Sequence, residues 1–305
     1  MRDQLILVAT DDGLHLVSGE DAARVDDFAG RHVLAVAVDD SAGWAIVEGR
    51  ELWRSEDGLR WSRAATVSKR KATCLATTQT GLLVGTVRAH LLHLEQDELV
   101  PVSSFDQAEG RSEWYTPWGA PADVRSISAS ADGTVYVNVH VGGVLRSTGA
   151  DGTWQPTLDI EQDVHQVLAP AGRPGLVLVA AAEGFGVSAD RGGTWRWEND
   201  GLHAHYCRAV ALAADTVLLS ASTGHHGRRA AVYRRAIHGG GRFERCQAGL
   251  PEWFSDNVDT GCLAARGSTV VIGTDDGCVF LSRDAGEHWE AIAKGLATVR
   301  AVALA

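Results

Sequence analysis

Eight residues recur in this chain: SADRGGTW at 188–195 returns as SRDAGEHW at 282–289, with Ser, Asp, Gly and Trp at the same offsets. A repeat constrains a fold more than composition does, because every copy must build the same small unit and bury its apolar face against the next. Aligned on the octapeptide, more of the chain falls into phase. TVYVNVHVGGVLRS (134–147) and TVVIGTDDGCVFLS (269–282) agree in length and apolar alternation, and LILVATDDGLHLVS (5–18) shares the TDDG turn. Period-two alternation broken by Gly and Asp is the pattern of paired strands.

Strand-like openings come before these hairpins: HVLAVAV at 32, KATCLAT at 71, DVRSISA at 123, DVHQVLA at 163, YCRAVAL at 206, DTGCLAA at 259 and TVRAVALA at 298. Seven openings over the chain give about 44 residues per unit, the size of a four-stranded propeller blade. The last opening has no hairpin after it and the first hairpin no opening before it, so the two ends are expected to complete one blade and close the ring. The expectation is an all-β, single seven-bladed propeller over 1–305. Its blades fall at about 299–305 with 4–27, 32–65, 71–103, 123–158, 163–199, 206–247 and 258–293.

The Ser-x-Asp-x-Gly-x-x-Trp pattern of 188–195 and 282–289 resembles the Asp-box, or bacterial neuraminidase repeat. That repeat occurs in sialidases, sortilin-type receptors, some glycan hydrolases and photosystem assembly-factor-like propellers. SEDGLRW (55–61) is one residue short and STGADGTW (147–154) has a displaced Asp. The resemblance implies that the octapeptide turns between a blade's third and fourth strands, as structural punctuation and not as an active site. A sialidase is disfavoured, because the N-terminal Arg-Ile-Pro motif is absent.

Composition narrows the partners. A formal charge of −11 opposes binding to a phosphate backbone, so no nucleic acid is expected. No run reaches the roughly 18 apolar residues of a membrane span. Five cysteines without a CxxC pair suggest reduced thiols and a cytoplasmic location.

If the octapeptide turns share one face, the loops leading into the first strands and joining second to third strands share the other, and that face gathers the unusual residues. His140, His165, His203 and His205 are the candidate ligands of a transition metal such as zinc, copper, iron or nickel, with His140, His165 and His205 the preferred set. Arg125, Arg208 and Arg300 occupy matching places in their strands, as does His165, and suit a carboxylate or phosphate ligand. Pairing with Asp123, Asp163 or Asp259 is the alternative use of those arginines. The long connection 103–124 offers Trp114, Tyr115 and Trp118 as the wall of a pocket or as a plug, and Trp253 joins them from 247–259. Cys207 and Asp259 are the candidate catalytic groups, Cys207 as a nucleophile with a histidine base. Asp11, in a TDDG turn, reads as an ordinary turn residue. Two functions follow. One is an enzyme acting on a small anionic or polar metabolite with a histidine-bound metal, and the other is a non-catalytic scaffold using the same face for a protein or cofactor.

Overall fold

The computed structural model of the protein describes residues 5–19, 21–39, 41–149 and 152–305. Apolar alternation becomes seven four-stranded antiparallel sheets, the strand plan of a seven-bladed β-propeller. The first strand of blade 1 is the C-terminal Val299–Leu304, which pairs with Ile6–Thr10 and so brings Ile6 opposite Leu304. Blades 2 to 7 open with Val33–Val38, Ala72–Thr78, Val124–Ala129, Val164–Leu168, Tyr206–Ala213 and Leu263–Arg266. Helix is confined to Ser103–Asp106 and two 3₁₀ turns among the described residues.

Contacts divide the chain into two units, Met1–Glu48 with Trp53–Ser62 and Asn199–Ala305, and Gly49–Leu52 with Arg63–Glu198. The first holds blades 1, 6 and 7 with the first two strands of blade 2 and most of its third. Its cores collect Leu7, Phe28, Val47 and Trp61 in one cluster and Phe254, Phe280 and Trp289 in another. The second holds blades 3, 4 and 5, where Phe105 packs edge-on against Trp154 with ring centroids 5.1 Å apart.

The octapeptides lie between third and fourth strands, following Gly184–Ser188 and Val279–Ser282. Their chemistry is that of a turn. Ser188 donates to Asp190 at 2.8 Å and accepts the Gly192 amide at 2.8 Å, while Asp190 accepts the Thr194 amide at 2.8 Å. Ser282, Asp284, Gly286 and His288 repeat the arrangement. Gly192 sits at φ +82°, and a Cβ there would stand 2.9 Å from Thr157, so both the left-handed backbone and the close approach require glycine. Those amide bonds hold the Asp190 carboxyl at about 2, below its ordinary value.

One irregularity recurs in the inner strands. Register shifts by a residue at Leu34, Thr73, Arg125 and His165, at Arg208 with Ala209, and at Arg300. A β-bulge leaves its extra residue unpaired and turns the side chain away from the regular alternation. Buried polar groups then stitch neighbouring blades of a unit together. Thr73 donates to the Val124 carbonyl at 2.6 Å, Asn138 to Val164 at 2.7 Å, and Ser220 to Val258 at 2.9 Å.

Candidate functional site

The bulges of blades 4 and 5 aim Arg125 and His165 at one carboxylate. Asp163, at the start of blade 5, lies 3.2 Å from Arg125 Nη1, 3.5 Å from His140 Nε2 and 3.5 Å from His165 Nε2, the two imidazoles approaching different oxygens. Burial works to raise the Asp163 carboxyl. The charges of His165, Arg125 and His140 outweigh it and hold the group at about 2. Nearby carboxyls are pushed the other way. Desolvation raises Asp123, which accepts the Arg88 amide at 2.8 Å, and it raises Glu183, to which the Asp163 charge adds. The unit therefore holds one carboxyl lowered and two raised from their ordinary values.

The connection before blade 4 brings aromatic rings to this cluster. Arg111 anchors it, donating to the Ala89 carbonyl at 2.6 Å with its guanidinium 5.0 Å from the Trp114 ring and 3.5 Å from Asp106. Asp106 in turn meets His90 at 2.7 Å. Trp114 is half-buried, packing on Phe105 against the core of its unit. Tyr115 and Trp118 are exposed, at 40% and 67%. Tyr115 donates to Glu161 at 3.1 Å, and the Trp118 ring stands edge-on to His140 at 4.8 Å.

The remaining candidates lie in the other unit. Arg208 donates to Asp259 at 2.7 Å and to the Tyr206 hydroxyl at 3.2 Å. Arg300 grips Asp11 through two bonds of 2.7 and 2.6 Å, and His32 meets the same carboxylate at 2.7 Å. All three arginines are thus paired with aspartates, the alternative use that the sequence offered beside anion binding. Asp11 is more than a turn residue. Its role was hidden because Arg300 is 289 positions away in the chain.

His203 stacks on Tyr233, receives or gives a 2.7 Å hydrogen bond with its hydroxyl, and meets Trp253 at 5.1 Å. Trp253 is covered by Arg245 at 3.9 Å. His205 is exposed. Cys207 is 0% exposed on the first strand of blade 6, and burial pushes its thiol far above the usual range, the direction that suppresses a thiolate. The i, i+2, i+4 pattern of His203, His205 and Cys207 therefore does not produce a common ligand face, because two of the three are exposed and the third is core. Among the described residues, the group of three whose ligand atoms lie within 4.8 Å of one another is Asp284, Glu287 and His288, all exposed at an octapeptide turn. No helix of the described residues is long and apolar enough to cross a membrane.

The sequence matches no protein-family model and no curated protein. Solved structures share the fold. An ancestral GH74 enzyme superposes with a TM-score of 0.63 at 14% identity, covering 86% of this chain, which spans 38% of that enzyme. The WD40 β-propeller domain of Doa1 gives 0.60 at 15% identity, with 94% and 85% covered, and BamB from Moraxella catarrhalis 0.53 at 14%, with 97% and 83% covered. At such identities the likeness carries the fold, a seven-bladed β-propeller, and leaves the chemistry to the residues of this chain.

Proposed function

We propose that the protein binds a small polar metabolite at the mouth formed by blades 4 and 5. Arg125, His140, Asp163 and His165 supply the polar wall, and Tyr115 and Trp118 the apolar one. The observation that carries this reading is the convergence of three basic side chains on one carboxylate beside a tryptophan that is two-thirds exposed. A ring of that size kept in water beside a buried polar cluster is well placed to stack on a ligand's flat apolar face while hydroxyl or oxyanion groups reach the cluster. Burial raises Glu183 and Asp123 from the ordinary carboxyl value, the direction a general acid needs, so acid–base turnover is the active form of the same site.

A metal-dependent form has one observation in its favour. His140 and His165 both bring an Nε2 to within 3.5 Å of the Asp163 carboxylate, at different oxygens, so an ion would have to draw the three groups closer together. Elemental analysis of protein purified without a His-tag distinguishes the forms. Stoichiometric zinc, copper, iron or nickel, lost in His140→Ala or His165→Ala, selects the metal form. For the binding itself, tryptophan fluorescence is titrated with sugars, sugar phosphates and dicarboxylates. A saturable change abolished in Trp118→Phe and weakened in Asp163→Asn supports the site, and a panel that leaves both variants indistinguishable from wild type sinks it.

A further inference from the structure

Blade 4 carries the octapeptide STGADGTW, in which the third place is Gly149 instead of aspartate. In the intact turns that aspartate does two things. It accepts the serine hydroxyl and it accepts the amide of the seventh residue, as Asp190 does with Ser188 and Thr194. At Gly149 the backbone is left-handed, φ +108°, and no side chain is present to do either. The consequence is visible at Ser147. It is 2% exposed, and its hydroxyl is buried without a hydrogen-bond partner among the described residues. An unmet buried hydroxyl is a standing desolvation cost, which a ligand that accepts from it removes.

Ser147 lines a cavity of about 490 Å³ with Arg146, Arg191, Asp132, Thr148, Thr153 and neighbouring polar groups. That wall holds two guanidiniums and one carboxylate among the described residues. Arg191 is paired with Asp132 at 3.0 Å, and Asp132 is further engaged by Ser130 and by the Thr134 amide at 3.1 Å. Arg146 donates to the Arg191 carbonyl at 2.7 Å and to Gln155 at 3.4 Å, and among the described residues it has no carboxylate partner. Among the described residues the wall therefore holds two guanidiniums to one carboxylate, with an unmet hydroxyl where intact turns hold a carboxylate. Asp151 lies outside the described residues.

We propose that this pocket is an oxyanion site, in which the carboxylate or phosphoryl group of a ligand takes the place of the aspartate that the turn has lost. Arg146 supplies a planar pair of donors, Arg191 the second cation, and Ser147 the buried donor. The pocket is independent of the cluster around Asp163 and of any function proposed for it.

Isothermal titration of the full chain with inorganic phosphate and with acetate tests it, at low ionic strength so that screening does not mask a weak site. The expected result is saturable binding of at least one of the two, in the millimolar range or tighter. Arg146→Gln weakens it about tenfold and Ser147→Ala weakens it by a smaller factor. Arg196→Gln, which removes an exposed arginine of the same blade pair, leaves it unchanged. Thermal melts of all variants check that each is folded. The anion that saturates at lower concentration identifies whether a carboxylate or a phosphoryl group is the natural occupant. No saturation by about 20 mM of either anion, or equal affinity in wild type and Arg146→Gln, overturns the proposal. Binding that appears only in Asp151→Asn also overturns it, since the chain then fills the site with its own carboxylate.

Discussion

Asp163 ties its three neighbours together through ionisation, which makes its contribution dependent on pH. Its folded value of about 2 lies below the ordinary 3.8, so the stabilisation is fully present above about pH 4 and disappears as pH falls through the folded value. The difference corresponds to about 2 kcal/mol, and the side chain is only 21% exposed, so solvent screening takes little from it. Asp163→Asn is expected to be less stable than wild type at pH 5, and the gap is expected to narrow by about 2 kcal/mol at pH 2. Urea midpoints across that range measure it, and a gap independent of pH would show that the carboxylate is not held by its charged neighbours. Cys207 makes the opposite kind of prediction. Buried thiols with raised pKa are inert, so a pulse of iodoacetamide at pH 8, read by mass spectrometry, is expected to leave Cys207 and Cys262 unmodified in the folded protein. Rapid labelling of Cys207 would restore it as a candidate nucleophile.

At the scale of elements, the connection 103–124 is tied to blade 3 by Arg111 together with the contacts of Asp106 with His90 and of Asp123 with the Arg88 amide. Arg111 combines a 2.6 Å bond to Ala89, the ring of Trp114 and the carboxylate of Asp106, so Arg111→Ala removes three contacts at once. A loss of about 1–3 kcal/mol is expected, with faster amide exchange confined to 103–118. Unchanged exchange there would mean that Phe105 and Trp114 anchor the loop without it. The octapeptide makes a different prediction, because its tryptophan is core. Trp289 is 6% exposed against Phe254 and Phe280, and Trp289→Ala is expected to cost about 3–5 kcal/mol by thermal or urea melts. The strands and the octapeptide turns were legible because alternation and a fixed spacing are local signals. The shared position of Arg125, His165, Arg208 and Arg300 was legible too, from apolar phase alone. The bulge that sits there was not, since no residue type marks it. Asp163 and Asp259 were legible as alternative partners of the arginines, since they lead into neighbouring strand openings, but Asp11 was not, because TDDG is a sufficient turn with no partner at all.

For the whole molecule, the feature on which the fold depends most is the strand Val299–Leu304, which completes the blade begun by Ile6–Thr10. Every residue of Ile6–Thr10 is buried, so without its neighbour this strand becomes an exposed apolar edge with unpaired amides and carbonyls. Val299, Val302 and Leu304 are 3%, 4% and 8% exposed and pack with Ile6 and Val8. Burying side chains of that size contributes about 1.5–3 kcal/mol each, so the three together rival the roughly 5–15 kcal/mol that stabilises a typical domain. Deleting residues 299–305 is therefore expected to abolish cooperative unfolding and drive association through the open edge, measured by urea denaturation and by size-exclusion chromatography. Deleting Ala305 alone is expected to change neither. Closure also makes one ion pair, because Arg300 rides on the closing strand and its loss leaves Asp11 with His32 as its remaining basic partner. A separate peptide of residues 298–305 added to the truncated chain should restore the urea transition, since the edge it meets is already shaped by the first hairpin. A truncated chain that stays monomeric and melts at the wild-type midpoint would show that the sheet holds its form without the terminal strand.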